Sequence, residues 1–261
     1  MKAMILAAGL GTRLRPLTND RPKALVELNG RTLLEINLTR LRSFGVTDVI
    51  VNVHHFADKV VDYLKSHDNF GLHIEISRED DLLLDTGGGL KKATWFFLQD
   101  PNRPKPSQDA EPFILHNVDI LTNIDLAAML QFHREHKALA TLAVQHRKTS
   151  RPLLFDSQGQ LQGRAESEAS PHSPIATRHS PLPPGKKKSV LAFSGVHILS
   201  PRLLPMLTET GAFSIIDAYV RLAAQGHPIL AFSADQYYWR DLGRPADLTQ
   251  AAADLAKGIA G

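Results

Sequence analysis

Gly9, Gly11, Thr12, Arg13, Arg15 and Lys23 are the residues of this chain best suited to hold a string of phosphates. Glycines lack a Cβ, so the backbone can turn sharply and bring its N–H groups close to an anion. Arginine and lysine then add fixed positive charge where N–H dipoles alone are weak. The loop follows an apolar run over residues 3–8, which has the length of a buried central strand. Two common glycine loops make demands that it does not meet. A P-loop needs Gly-Lys followed by Ser or Thr, and none occurs. A dinucleotide loop needs a third glycine, where Leu14 stands, and a carboxylate about 20 residues on, where the next strand reads Asn52-Val53-His54. An ordinary strand-to-helix turn accounts for the glycines but not for two arginines and Pro22-Lys23. A polyphosphate ligand is therefore expected.

Two other stretches carry chemistry. Thr86-Gly87-Gly88-Gly89 is placed at the mouth of a helix expected over residues 90–98, where exposed backbone groups would meet a flat ligand. A flexible connection is the plainer alternative. Asp119 follows a short apolar strand at residues 113–116 and two intervening residues, Asn117 and Val118. A carboxylate just past the carboxyl end of a buried strand lies where open α/β sheets hold ligands. Its competing role, capping a helix, suits Asn123 and Asp125 better.

The elements that must position these residues alternate. Asn29-Gly30 is a turn; Thr32 and Glu35 form a capping box for a helix lined by Leu34, Leu38 and Leu41 and stopped at Gly45. A strand at 46–53, a helix at 57–66 and a strand at 72–76 follow. Strand, helix, strand, helix, strand predicts a three-layer, Rossmann-like α/β fold, a mainly parallel sheet with helices on both faces. Beyond Asp119 the pattern predicts a helix at 126–137, strands at 139–144, 189–199 and 229–232, and helices from Ser214 and over 246–257. Residues 152–161, around Gly159, are expected as a small β-hairpin lid.

The chain has 261 residues, 43% hydrophobic and 22% charged, with net charge +3 and no cysteine. These values fit one globular domain, 1–261, in a reducing compartment, and exclude disulfides, thiolate metal sites and cysteine nucleophiles. Basic residues are scattered apart from the opening loop and Lys186–Lys188, so no nucleic-acid partner is expected. No membrane span or secretory leader is legible, and a soluble cytoplasmic protein is the simplest expectation. Residues 164–188 lose apolar character and are expected to form a mobile insertion. His172, His179 and His197 lack metal-ligand spacing and are expected to be solvated. The oligomeric state is not legible.

Gly9-Leu10-Gly11-Thr12-Arg13, Pro16, Thr18 and Pro22-Lys23 resemble the signature of the sugar-1-phosphate nucleotidyltransferases, which join a nucleoside triphosphate and a sugar 1-phosphate. That resemblance implies a nucleotidyltransferase (GT-A-like) fold with Mg2+ as cofactor, and it places the metal on Asp119 and on Asp241 of Trp239-Arg240-Asp241-Leu242-Gly243. It implies nucleotide contacts from Ala8, Gly9, Gly11, Thr12, Arg13, Lys23, Thr86, Gly87, Gly88, Gly89 and Asn117, and sugar contact at Gly195. Thr86 to Gly89 and the short chain look most like the N-acetylmuramate 1-phosphate uridylyltransferases of peptidoglycan recycling, which implies UTP and N-acetylmuramate 1-phosphate as substrates. Two positions depart from the pattern. Val118 stands where relatives have glycine, and the lysine that many relatives use on the sugar phosphate has no clear counterpart unless Lys186, Lys187 or Lys188 serves.

The expected chemistry needs no enzymic base, because a phosphate monoester with a second pKa of about 6 is already ionised at neutral pH. It needs alignment of two anions and neutralisation of charge moving to the leaving group. Arg13 is the expected catalytic contact for the β- and γ-phosphates and Lys23 for the α-phosphate, with the base over Gly87–Gly89. Another base or another sugar or alcohol phosphate, a nucleotide-sugar glycosyltransferase and a non-catalytic sensor are the alternatives. The loop cations argue against the glycosyltransferase, and the presence of Arg13, Lys23, Asp119 and Asp241 together argues against the sensor.

Overall fold

The structure, a computed structural model, describes residues 1–98, 110–165 and 188–258. β1 (Lys2–Leu6) leads into the glycine loop. β2 (Glu27–Leu28) and β3 (Arg31–Thr32) form a hairpin whose turn residues Asn29 and Gly30 lie at φ 52° and 77°, the backbone that Asn-Gly adopts at least cost. Thr32 caps α1 (Leu33–Ser43), its hydroxyl accepting the Glu35 N–H at 3.1 Å. Only this half of the capping box forms, because the Glu35 carboxylate accepts from Arg31 and Tyr63 instead. β4 (Asp48–Val53), α2 (Ala57–Ser66) and β5 (His73–Arg78) follow as expected.

The next segment departs from expectation. The helix begins five residues earlier than the pattern suggested, as α3 (Asp85–Lys92), and is interrupted at Ala93 before a single turn, α4 (Thr94–Phe97). Then come β6 (Phe113–Asn117), β7 (Ile120–Thr122), α5 (Leu126–Glu135), β8 (Ala140–Gln145), the hairpin β9 (Leu153–Phe155) and β10 (Leu161–Arg164), and β11 (Ser189–Leu199). α6 (Ile215–Ala224), β12 (Ile229–Ser233), β13 (Trp239–Asp241) and α7 (Pro245–Ala256) complete the order. Asp125 caps α5, accepting from Ala127 and Ala128, and so takes the role weighed against Asp119.

The main sheet runs β10-β9-β11-β6-β1-β4-β5, with β8 against β11 and β12 against β8. β6, β1, β4 and β5 are parallel, as are β8 and β12, while β11 is antiparallel to both of its long neighbours. Ser189–Leu191 of β11 pair with β9, so the hairpin is continuous with the main sheet. Alternate residues of β1 face opposite layers. Ala3 and Ile5 pack with α1, α2, α5 and α7, and Met4 and Leu6 with α3 and α6. A strand covered on both faces has no solvent side, which is why residues 3–8 are apolar without interruption.

His197 is a correction. It is 1% exposed rather than solvated, because β11 is hydrogen-bonded on both edges and covered by α6, where Tyr219 Oη meets His197 Nδ1 at 2.9 Å. His172, His179, Lys186, Lys187 and almost all of the expected mobile insertion at 164–188 lie outside the described residues. The β7–β13 ribbon was not anticipated, since three residues per strand are too few to show a period. No described helix is long and apolar enough to cross a membrane.

Candidate active site

The parallel strands all point their carboxyl ends at one edge of the molecule, and the glycine loop closes over that edge. Asn52, at the end of β4, accepts the Ala7 N–H at 2.7 Å, and the Val118 N–H donates to Leu6 O at 3.1 Å, so the exits of three strands are tied together. Gly11 has φ 64°; a Cβ there would come within 3.0 Å of both Lys23 Cβ and Thr18 Cγ2. Its missing side chain is what lets the loop close on Lys23. Thr18 holds the closure by donating to Gly11 O at 2.9 Å, and Leu14 anchors it in the core. Among the described residues, the N–H groups from Gly9 to Arg13 find no acceptor in the protein, which leaves them for a ligand.

Two carboxylates face this loop, and each is paired with one of its cations. The buried Lys23 ammonium is ion-paired with Asp119 Oδ2, and Arg13 Nη2 lies 4.0 Å from Asp241 Oδ2. The Leu242 N–H donates to Asp119 O at 2.8 Å, and β7–β13 pairing sets Asp241 opposite Ile120. Burial, and then the neighbouring Asp119, push the Asp241 carboxyl up, with Lys23 and Arg13 drawing it partly back. Asp241 Oδ1 is buried without a partner. Neighbouring carboxylates with one orphaned oxygen suit a divalent cation. Among the described residues no third His, Asp or Glu joins them, so the pair fits an ion that completes its shell with water and phosphate oxygens.

Around these residues lies a cleft with two chambers. The first, about 480 Å³, is lined by Ala8 to Arg13, Lys23, Asn52, Leu83, Asp85, Thr86, Asn117 to Asp119 and Gly243. The second, about 660 Å³, shares Arg13, Asp85, Thr86 and Asn117 as a common wall and adds Arg147, Arg151, Arg164, Gly195, Trp239 and Asp241 among others. Gly195, at φ 75°, sits where a Cβ would strike Ile120 at 2.7 Å, and it keeps β11 close to Asn117. One set of expected residues, then, gathers around the loop, while Gly195 and Asp241 border the adjoining chamber.

A family model described as nucleotidyl transferase matches residues 2–258. The chain is 33% identical to N-acetylmuramate alpha-1-phosphate uridylyltransferase of Caulobacter vibrioides, over 98% of this chain and 97% of that protein. The chain belongs to the sugar-1-phosphate nucleotidyltransferase family. This nucleotidyltransferase is also 29% identical, over 96% of its own length, to UTP–glucose-1-phosphate uridylyltransferase of Synechocystis, of which it spans 62%. Its fold matches that of a putative glucose-1-phosphate thymidylyltransferase from Bacillus anthracis with TM-score 0.75 at 18% identity, covering 99% of this chain and 96% of that one.

In this nucleotidyltransferase the three glycines do not offer their backbone to a base, and that expectation is corrected. They lie inside α3 and are buried, and the N–H groups of Gly87 and Gly88 already donate to Phe213 O. A Cβ at Gly87 would strike the Phe213 ring at 2.3 Å, at Gly88 the Gly211 carbonyl at 2.6 Å, and at Gly89 the Asn52 amide at 2.7 Å. Their smallness lets α3 press against the segment before α6 and against β4. Gly88→Ala is expected to destabilise the fold by about 1–3 kcal/mol, because overpacking against a backbone carbonyl outweighs the gain of about 1 kcal/mol in helix propensity. A urea denaturation midpoint unchanged from wild type would contradict this. Leu83, Asp85 and Thr86, just ahead of the glycines, line the first chamber instead.

Four lining or supporting residues of the nucleotidyltransferase were not singled out from sequence. Asn52 donates to Glu79 Oε1 at 2.6 Å, and Glu79, 1% exposed, accepts the Leu84 N–H at 2.8 Å, so this buried pair locks the segment before Asp85 to the end of β1. Asn52 carried a legible signal, a polar residue ending a buried strand; Glu79 carried none. A Cβ at Gly243 would lie 2.5 Å from Arg13 Nη2 and 2.7 Å from Asp241 Oδ1, so a side chain there would displace the two charged groups. Arg147 lies in a loop with no local pattern, yet its guanidinium stacks 3.6 Å over the Trp239 ring. Val118, the departure beside Asp119, packs into the core with 4% exposure while bordering the first chamber. Lys188 is exposed, and it does not border either chamber.

Proposed function

We propose that this enzyme transfers the uridylyl group of UTP to a sugar 1-phosphate, N-acetylmuramate 1-phosphate being the acceptor suggested by the full-length relative, and releases pyrophosphate. The observation that carries this reading is the pair of adjoining chambers, which share the Arg13 wall and have Asp119 on one side and Asp241 on the other. Two anionic reactants can occupy one chamber each and meet where the loop cations and the carboxylates converge. The UTP assignment draws support from the printed activities of two relatives, both uridylyltransferases with different sugars.

In this reading the free N–H groups of Gly9 to Arg13, with the Arg13 guanidinium, receive the β- and γ-phosphates. Lys23 exchanges Asp119 for the α-phosphate and offsets the charge that builds there during transfer. Asp119 and Asp241 would hold Mg2+, which would neutralise phosphate charge there. The base lies along Leu83, Asp85 and Thr86, and the sugar near Gly195 and Asn117. No side chain has to remove a proton from the acceptor, since its phosphate is already ionised.

Pyrophosphate release, measured with Mg2+ across the four common triphosphates and a panel of sugar 1-phosphates, tests the assignment. The largest kcat/KM is expected for UTP with N-acetylmuramate 1-phosphate. A preference for GTP, dTTP or CTP would reassign the base, and no release from any pair would sink the enzymatic reading.

A further inference from the structure

The second chamber carries more positive charge than a single phosphate requires. Arg147 and Arg151 enter it from the loop between β8 and β9, and Arg164 from the end of β10. Arg147 is held by two contacts: its guanidinium carbon lies 3.6 Å over the Trp239 ring and its Nη2 donates to Phe193 O at 2.6 Å, while Trp239 Nε1 donates to Ser194 O at 2.8 Å. Among the described residues no carboxylate lies within 4.0 Å of it, although Asp241 is near enough to act on it electrostatically. A half-buried cation with no carboxylate in contact is stabilised further when an anion arrives beside it. Its location beside Asp241, where the two reactants meet, suits it to a phosphate at the point of transfer.

Arg151 and Arg164 remain. Arg151 is exposed at the chamber wall and among the described residues makes no ion pair. Arg164 donates through Nη2 to Asp217 Oδ1 at 2.6 Å, an interaction that orients the fork and leaves its other N–H groups available. The carboxylates that border the chamber, Asp85 and Asp241, lie on the wall shared with the loop or beside Arg13. Three of the four arginines that line the chamber therefore come from outside the triphosphate loop. Planar guanidinium forks match the paired oxygens of a carboxylate or a phosphate.

We propose that the second chamber selects sugar 1-phosphates bearing a second anionic group, with Arg147 meeting the anomeric phosphate and Arg151 and Arg164 meeting the second anion. This rests on the nucleotidyl-transfer reading and adds to it the residues that select the acceptor. Arginines that stay with solvent would give no preference between a charged acceptor and its neutral isostere, whereas the half-buried Arg164 fork, acting with Arg151 on the wall of the same chamber, gives a preference of about tenfold or more.

The test uses matched pairs of acceptors, each a sugar carboxylate and its carboxamide: N-acetylmuramate 1-phosphate and glucuronate 1-phosphate with their amides, and glucose 1,6-bisphosphate against glucose 1-phosphate for a phosphate in place of the carboxylate. The readout is the ratio of kcat/KM, charged to neutral, in whichever pairs turn over with UTP and Mg2+. A ratio of about ten or more is expected, falling toward one in Arg151→Ala and recovering in part in Arg151→Lys. Because Arg151 is exposed, these variants are expected to fold like the wild type, and matching thermal midpoints check that. A wild-type ratio near one, or a ratio unmoved by Arg151→Ala, overturns the proposal. Turnover of neutral sugar 1-phosphates with none of the charged ones also overturns it while leaving the nucleotidyl-transfer reading intact; absence of turnover with every acceptor overturns both.

Discussion

Lys23→Ala is expected to lower turnover by about two to three orders of magnitude, the cost seen when one preorganised charge aimed at a reacting group is removed, while weakening nucleotide binding far less. Lys23 is buried beneath the glycine loop, with its ammonium on Asp119, so its charge is already at the site before any ligand arrives and only its anionic partner has to change. The N–H groups of Gly9 to Arg13 and the Arg13 guanidinium remain to hold the triphosphate tail. Lys23→Arg is not expected to rescue, because the Lys23 side chain is buried with its ammonium seated on Asp119, and a larger, planar guanidinium would have to fit the same space. The comparison is between kcat from pyrophosphate release and the UTP dissociation constant from calorimetry. Equal loss in both would argue that Lys23 only binds.

The second large effect is on stability. His116 and His197 are held neutral by burial, each with pKa lowered to about 3, and His133 likewise to about 4. In the unfolded chain all three titrate near 6.5. Above that value both states are neutral and the folded state keeps its full advantage. Below it only the unfolded chain takes up protons, so stability falls with pH until the folded-state values are reached. At pH 5 the loss is about 2 kcal/mol per histidine and about 6 kcal/mol for the three, which is comparable to the whole stability of an ordinary domain. Urea midpoints measured at pH 7.5, 6 and 5 are expected to fall steeply over this range, and His133→Gln to reduce the slope by about one proton equivalent. A midpoint that is flat between pH 6.5 and 5 would contradict this account.

These effects also mark how much was legible in the chain. The glycine loop, Asp119 and the alternating elements were readable because turn chemistry, caps and apolar periodicity are local: Asn29-Gly30 turns, Thr32 caps α1, and residues 3–8 are apolar because β1 has no exposed face. His197 was misread because a histidine within a strand looks solvated until both edges and the covering helix are known. The three glycines were misread for a related reason. Flexibility and smallness give the same letters, and only the position of Phe213 and Gly211, more than a hundred residues on, shows that smallness is what is used here.

By itself, the sequence determined the strand that carries the loop, the charges in the loop and the likeness to a nucleotidyltransferase signature. The tertiary structure alone decided that Lys23 meets Asp119 across 96 residues, that Asn52 and Glu79 lock the loop's base, and that Arg147, Arg151 and Arg164 face one chamber. The physical reason is that periodicity reports which face of an element is buried. Which elements then become neighbours follows from the β6-β1-β4 order and the β7–β13 pairing, and these arise from contacts between residues far apart in the chain.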